Sequence, residues 1–350
     1  MRAVVYSENG PSSVMRLAER PVPKPGPGEV LVRLVRAGVN PTDWKVRAGL
    51  SATLATPEAT PGQDGAGVVE GLGDGVTTHV VGQQVWLFMV QHGQAWGTAA
   101  EYVTVPAHKA VELPVGASYD LGAALGVPAM TAHRALTSGA VQRLAPGAFD
   151  GLNILVHGGA GAVGNAAIQL AVWAGATVVT TVSSPEKAEL AKAAGAQHIV
   201  NYREAGHLDR LDTPLDKLDH LGTQIRKIAP GGVDQIVEVA PAVNNDLDRA
   251  VIANRGTIAI YANNGGDELS MPLRATFSLN LRYQFILLYA VDPAQLRAAA
   301  EDLTSAVAAG ALRVGAEVGV PLHHYPLEET AAAHDAVEAG AVGKVLIDLE

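Results

Sequence analysis

The sequence predicts an α/β protein in which a doubly wound parallel sheet is joined to a β-rich domain. Three observations carry this. Strand-like and helix-like runs alternate through the middle of the chain. A glycine loop separates the first of those strands from the first helix. Residues 1–125 hold short runs rich in Val and aromatics, divided by Gly and Pro, in place of that alternation. At 350 residues the chain is long enough for two domains, each with its own core.

In chain order, Ala3–Tyr6, Glu29–Val35, Gly67–Glu70, Gln84–Phe88 and Glu101–Val105 read as strands. Between the first two, Pro21-Val-Pro-Lys-Pro-Gly-Pro-Gly28 cannot be helical, because proline fixes φ and lacks a donor. Short strands and dense turns predict a compact, barrel-like domain. From Ala123 the character changes. Gly126–Leu136 reads as a helix with Pro128 near its first turn. Ile154–Val156 is an apolar strand that breaks into glycines, and Val163, Ala167, Leu170 and Trp173 then recur at helical spacing. Strand Thr177–Val182, helix Pro185–Ala194, strands His198–Val200 and Val233–Val239, helix Asp246–Ile252 and strand Thr257–Tyr261 follow. Unbroken apolar strands between helices mean a parallel sheet covered on both faces. A last apolar run, Tyr283–Tyr289, reads as the edge strand. The segment from Asp292 begins helical and ends in a strand at Lys344–Leu349. The expected domains are therefore 1–125 with 291–350, and 126–290.

Gly159, Gly161 and Gly164 have the G-x-G-x-x-G spacing of the Rossmann fold, with a strand before and a helix after. The first glycine permits the tight turn and the second lets backbone N–H groups, with those of Ala162 and Val163, approach a pyrophosphate. The third allows helix and strand to pack closely. An NAD-preferring site places an acid at the tip of the second strand. Here that tip reads Thr181-Val-Ser-Ser-Pro-Glu-Lys187 and carries none. Ser183, Ser184 and Lys187 instead suit the 2′-phosphate of NADPH, with Glu186 the residue against.

A net charge of −10 argues against nucleic acid or an acidic membrane as partner. With no cysteine, disulfides, catalytic thiols and thiolate metal sites are excluded. No apolar run reaches the length of a signal peptide or membrane span, so a soluble cytoplasmic protein is expected.

The order of parts resembles the medium-chain dehydrogenase/reductase superfamily, with a GroES-like catalytic domain preceding the Rossmann domain. More closely, it is similar to the zinc-independent, zeta-crystallin-like quinone oxidoreductases. Residues 37–43, 61–67, 98–102, 126–131, 156–164, 201–204 and 343–346 carry the resemblance, which spans nearly the whole chain. It implies cofactor contacts at Lys187 and Tyr202 on the adenosine side, and at Pro128 and Thr131 near the nicotinamide. It also implies contacts at Ala240, Tyr261, Ala262 and Asn263 along the strand ends, with Leu288 and Tyr289 beyond them. Asn40 is expected to face the nicotinamide pocket, so Asn40 and Thr131 are the candidate catalytic residues. Zinc enzymes of the superfamily carry ligands where Asn40 and Gln63 stand here, and an amide is no zinc ligand. The adjacent His323 and His324 read as surface residues, so no metal is expected. Many relatives have Tyr where Lys45 and Ala129 stand, which weakens transfer at the substrate end.

The expected activity is hydride transfer from NADPH to a quinone or another conjugated carbonyl. The alternatives are an enoyl-thioester or enone reductase on the same scaffold, or a crystallin-like binding protein without useful turnover. An apolar edge at Tyr283–Tyr289 predicts a homodimer paired through that strand.

Overall fold

The computed structural model describes residues 1–51, 53–204 and 219–350. The elements run β1 (Arg2–Val5), β2 (Arg16–Glu19), β3 (Glu29–Val39), α1 (Pro41–Arg47), β4 (Asp64–Leu72), β5 (Gln84–Leu87), β6 (Tyr102–Pro106), β7 (Ala110–Glu112) and α2 (Tyr119–Ala124). After a single π-turn at Leu125–Ala129 come α3 (Met130–Leu136), β8 (Asn153–His157), α4 (Ala162–Trp173), β9 (Thr177–Val182), α5 (Pro185–Ala193) and β10 (His198–Asn201). Next are α6 (Asp219–Ile228), β11 (Val233–Glu238), α7 (Pro241–Val251), β12 (Ile252–Ile260), α8 (Leu273–Ser278), β13 (Arg282–Phe285) and α9 (Pro293–Ala308). The chain ends with β14 (Leu322–Pro326), α10 (Thr330–Glu338) and β15 (Lys344–Asp348).

Two compact units result, Met1–Pro128 with Pro321–Glu350, and Ala129–Val320. In the first, seven strands form one sheet in the order β14-β15-β3-β4-β5-β7, with β6 also on β3. The eleven-residue β3 organises it, because one half pairs with β6 and the other with β15, both antiparallel. Val30, Val32 and Leu34 alternate inward along β3 and meet Val69, Val85 and Val103 in the core.

In the second unit six parallel strands are ordered β10-β9-β8-β11-β12-β13. This is the 3-2-1-4-5-6 order of a Rossmann sheet, whose direction reverses between β8 and β11. Leu155, Val179, Ile236 and Ile258 are buried on these strands.

Three expectations need correction. The edge strand stops at Phe285, and Leu288–Ala290 form a 3-10 turn, because the chain leaves the sheet edge after Ile286 bonds to Ile260 O. The helix expected at Asp246 begins five residues earlier, since Pro241 is its first residue and needs no N–H there. The chain returns to the first unit at Pro321 rather than 291. Helix α9 stays with the second unit because Asp302, buried in it, accepts hydrogen bonds from His133 Nε2 at 2.8 Å and Leu144 N at 2.7 Å. Sequence periodicity also missed β2, β7 and β14, and the helices α1, α2, α6, α8 and α10. All are short, and a two-turn helix shows too few apolar repeats to be read. Among the described residues no helix is long and apolar enough to cross a membrane.

Candidate functional site

The glycine loop leaves β8 at the point where the sheet order reverses. A Cβ on Gly159 would lie 2.2 Å from Thr180 Oγ1, and one on Gly164 would lie 2.3 Å from Gly158 O. Both glycines are therefore required by the fold of the loop itself. Gly161 differs: a Cβ there would meet only Gly158 O, at 3.4 Å, and the residue is exposed. It is the N-cap of α4 and has no side chain to cap the helix. The first-turn N–H groups of Ala162, Val163 and Gly164 thus open outward at the positive end of a twelve-residue helix. The loop fits a pyrophosphate.

At the tip of β9, Val182 is buried and Ser183 is half-buried. Ser184 caps α5, its hydroxyl oxygen accepting from Lys187 N at 3.3 Å. The exposed Glu186 is held below the usual carboxylate range by hydrogen bonding to the Ser184 side chain. Tyr202 follows β10, tied by its N–H to Val182 O at 3.1 Å. It lines a cavity of about 140 Å³ together with His157, Thr181, Ala240 and Asn244. Ser183, Ser184, Lys187, Tyr202 and Ala240 therefore lie at the C-terminal ends of neighbouring strands β8 to β11, where ligands collect in such sheets.

Tyr261, Ala262 and Asn263 follow β12 and border a second, larger cavity of about 630 Å³ with Arg134 and Leu287. Burial first, and then the Glu238 carboxylate, raise the Tyr261 phenol above its ordinary range. Leu288 is buried at 5% exposure, so its side chain belongs to the core. Tyr289 follows it in the same 3-10 turn. Thr131 is buried in the first turn of α3, and Pro128 lies in the π-turn at the end of the first unit.

In the first unit Asn40 is part of a buried network. Its N–H donates to Asp43 Oδ2 at 2.7 Å, which closes a capping box on α1. Its amide Nδ2 donates to Asp64 Oδ2 at 2.7 Å, and its Oδ1 accepts from Lys344 Nζ at 2.7 Å. Lys344 Nζ also lies 3.4 Å from Asp64 Oδ2, and Val127 N donates to Asp64 Oδ1 at 2.8 Å. Burial raises Asp64 and lowers Lys344; each opposes the other's shift by its charge. Asp43 is pushed up to about 7 by burial first and by Asp64 next. Gly126 makes room for this pair, since a Cβ there would lie 2.1 Å from Asp64 Oδ1. Four of the segments that carry the resemblance, around Asn40, Asp64, Gly126 and Lys344, thus converge on one cluster.

A second buried cluster went unread in the sequence. His157 at the end of β8 bonds Thr181 Oγ1 through Nδ1 at 2.9 Å, and Asp248 Oδ1 of α7 through Nε2 at 2.8 Å. Glu238 at the end of β11 approaches the same Nε2 at 3.3 Å. Among the described residues this is the one group of three His or acidic donors close enough together to face a single ion. The signal available in the sequence was an ionisable residue inside an apolar strand, which must be paired when buried.

Residues 26–115 match the family model of the alcohol dehydrogenase GroES-like domain, and residues 162–305 that of the zinc-binding dehydrogenase. That pairing defines the class, the medium-chain dehydrogenases and reductases. Within it the chain is 30% identical over 355 residues to the quinone oxidoreductase of Lama guanicoe, covering 100% of this chain and 98% of that protein. The chain belongs to the quinone oxidoreductase branch of this superfamily and is an enzyme of that kind. Among solved structures, a mycobacterial protein complexed with NADPH superposes with a TM-score of 0.80 at 28% identity, covering 99% of this chain and 100% of the other. An NAD-dependent alcohol dehydrogenase superposes with a TM-score of 0.82 at 28% identity, covering 99% of both chains. The second family is named for zinc, and the two positions at Asn40 and Gln63 do not fit that metal. Asn40 Oδ1 is committed to the Lys344 ammonium, and Gln63 Oε1 accepts from His92 N at 3.2 Å. Neither is a zinc donor.

Proposed function

We propose that the protein is an NADPH-dependent, metal-free reductase that delivers hydride to a quinone or another conjugated carbonyl. The observation that carries the reading is the strand tip at Val182. It offers hydroxyls, a helix N-terminus and Lys187 where a ribose-binding acid would stand. When bound, the cofactor supplies the hydride and an electron sink is required of the acceptor.

The chain's own residues bind and orient. The N–H groups of Ala162, Val163 and Gly164 meet the pyrophosphate, Gly161 leaves the approach open, and Gly159 sets the turn. Ser183, Ser184 and Lys187 hold the 2′-phosphate, and Tyr202 and Ala240 flank the adenosine. Pro128, Thr131, Tyr261, Ala262, Asn263, Leu288 and Tyr289 shape the nicotinamide end. Asn40 and Thr131 are the proposed donors toward the acceptor oxygen. With no Lewis acid to polarise a simple ketone, an acceptor that already spreads negative charge over a conjugated system is needed. The hydride and one proton from solvent convert quinone to hydroquinone, or enone to saturated ketone, and leave NADP⁺.

A homodimer through the edge strand and a cytoplasmic setting complete the reading. Phe285 lies on that edge at 61% exposure, and Leu287 and Phe277 on α8 are each 64% exposed. The test is NADPH oxidation with 1,4-benzoquinone, an enone and an enoyl thioester under identical conditions. Turnover of the quinone and enone is expected. Turnover of the thioester alone would transfer the site to the enoyl reductases, and no turnover of any acceptor would leave only a binding protein.

A further inference from the structure

The buried triad of His157, Glu238 and Asp248 stands at the point where the sheet order reverses. Strands β8 and β11 are neighbours there, with Val156 paired to Val237, so the next residue of each brings imidazole and carboxylate together. All three side chains are sealed from solvent, at 2%, 0% and 1% exposure. Each ties a different segment. His157 reaches Thr181 on β9 through one ring nitrogen and Asp248 on α7 through the other. Glu238 accepts from Ala240 N and, at 3.1 Å, from Asn244 Nδ2, which fastens the start of α7 to β11. Asp248 Oδ2 is buried with no hydrogen-bond partner.

The same segments wall the cavity of about 140 Å³, whose lining includes His157, Thr181, Ala240 and Asn244. Gly158, next to His157, bonds through its N–H to Thr181 O at 3.2 Å, and so does Gly159 at 3.3 Å. The imidazole therefore links the end of β8, next to the glycine loop, to β9 and to the later part of α7, while Glu238 holds the start of α7. In a network this buried, removing one member leaves its partners without water to replace it.

We propose that His157, Glu238 and Asp248 are positioning residues of the nucleotide site, holding as a charged triad the three segments that wall the adenosine cavity. The inference rests on the dinucleotide reading above. Burial lowers the imidazole's proton affinity, but Glu238 and Asp248 outweigh it and hold His157 up at about 9. Burial first, and then Glu238, raise Asp248 well above the carboxylate range, while the His157 imidazole opposes that shift. The two phenols facing the cluster are raised above their ordinary range. Tyr261 is raised by burial and Glu238, and Tyr283 is pushed up to about 12 by burial and then Asp248. Arg249 also faces Tyr283 and opposes its shift. The imidazolium form is complete below about pH 8 and lost as pH rises through about 9. Nucleotide affinity follows it.

The experiment is direct titration of the full chain with NADPH and with NADH between pH 6 and 10, read by reduced-nicotinamide fluorescence. NADH lacks the 2′-phosphate, so its profile is free of Lys187. Wild-type affinity should be flat to about pH 8 and weaken near 9 for both nucleotides. His157→Gln should bind each at least about tenfold more weakly at pH 7, with no break. Glu238→Gln and Asp248→Asn each remove one of the two carboxyl groups that raise His157, so their break should move down by about one pH unit or more. Those two isosteric variants carry the test if His157→Gln does not fold, and a melting curve identifies that case. An unshifted break in both, or wild-type affinity in His157→Gln, overturns the triad's role while NADPH binding stands. A wild type that binds neither nucleotide overturns both readings.

Discussion

Replacing Lys344 with Met removes the ammonium from a cluster in which Asn40, Asp43, Asp64 and Lys344 are all at most 3% exposed. At the 3.4 Å that separates Nζ from Asp64 Oδ2, the attraction is about 5 kcal/mol at an effective dielectric of about 20. Methionine leaves Asp64 with the Asn40 and Val127 hydrogen bonds but no counter-charge, and Asn40 Oδ1 loses its donor at 2.7 Å. Breaking a buried pair from one side typically costs about 3–5 kcal/mol. For a domain of this size that is a fall in Tm on the order of 10 °C. The assay is urea unfolding followed by tryptophan fluorescence, with a thermal melt beside it. Asp64→Asn added to Lys344→Met should recover part of the loss, because the uncompensated carboxylate goes with it. A loss below about 1 kcal/mol for Lys344→Met would show that water or another cation reaches Asp64, and would refute the network.

Three further outcomes are expected. Lys187→Glu should weaken NADPH about tenfold or more and spare NADH, since a charge-assisted phosphate contact contributes on the order of 1.5–3 kcal/mol; equal wild-type affinity for both cofactors contradicts this. Asp302 is held down at about 2: burial would raise it, but hydrogen bonds from His133, Arg143 and Leu144 prevail. A depressed folded value means the stabilisation is complete above the unfolded value of about 4 and lost as pH falls through 2. The stability gap between wild type and Asp302→Asn, measured by thermal melts, should therefore narrow between pH 4 and 2; a constant gap contradicts it. Light scattering at micromolar concentration should report a dimer that Phe285→Lys disrupts, and a wild-type monomer would reject the edge pairing.

The parallel sheet was readable because its strands are unbroken apolar runs, and the loop because three glycines at fixed spacing separate a strand from a helix. Residue-level contacts were readable only where chemistry is local. Ser184 capping Lys187 N is a three-residue event. Asn40 and Lys344 are 304 positions apart, and no periodicity connects them. Asn40 was expected as a donor toward substrate. The structure adds that its amide is already held from both ends, so any such role is exercised in one fixed orientation. The triad shows the same limit. His157 and Asp248 lie 91 positions apart, and only the pairing of β8 with β11 brings Glu238 beside them. The end of the edge strand was misread for a related reason. Tyr283–Tyr289 is apolar but for Gln284, and apolar character does not distinguish a strand from the 3-10 turn that buries Leu288.

The central claim is metal-free hydride delivery from NADPH to a conjugated acceptor. Its most direct measurement is steady-state turnover on one preparation, stripped with a chelator and checked by elemental analysis. NADPH oxidation by 1,4-benzoquinone is compared there with NADP⁺ reduction by 2-propanol. Quinone reduction should survive stripping unchanged and the alcohol should not be oxidised at a useful rate, because neither Asn40 nor Gln63 can lower an alcohol's pKa. Alcohol oxidation faster than quinone reduction, or activity lost with the metal and restored by zinc, would contradict it.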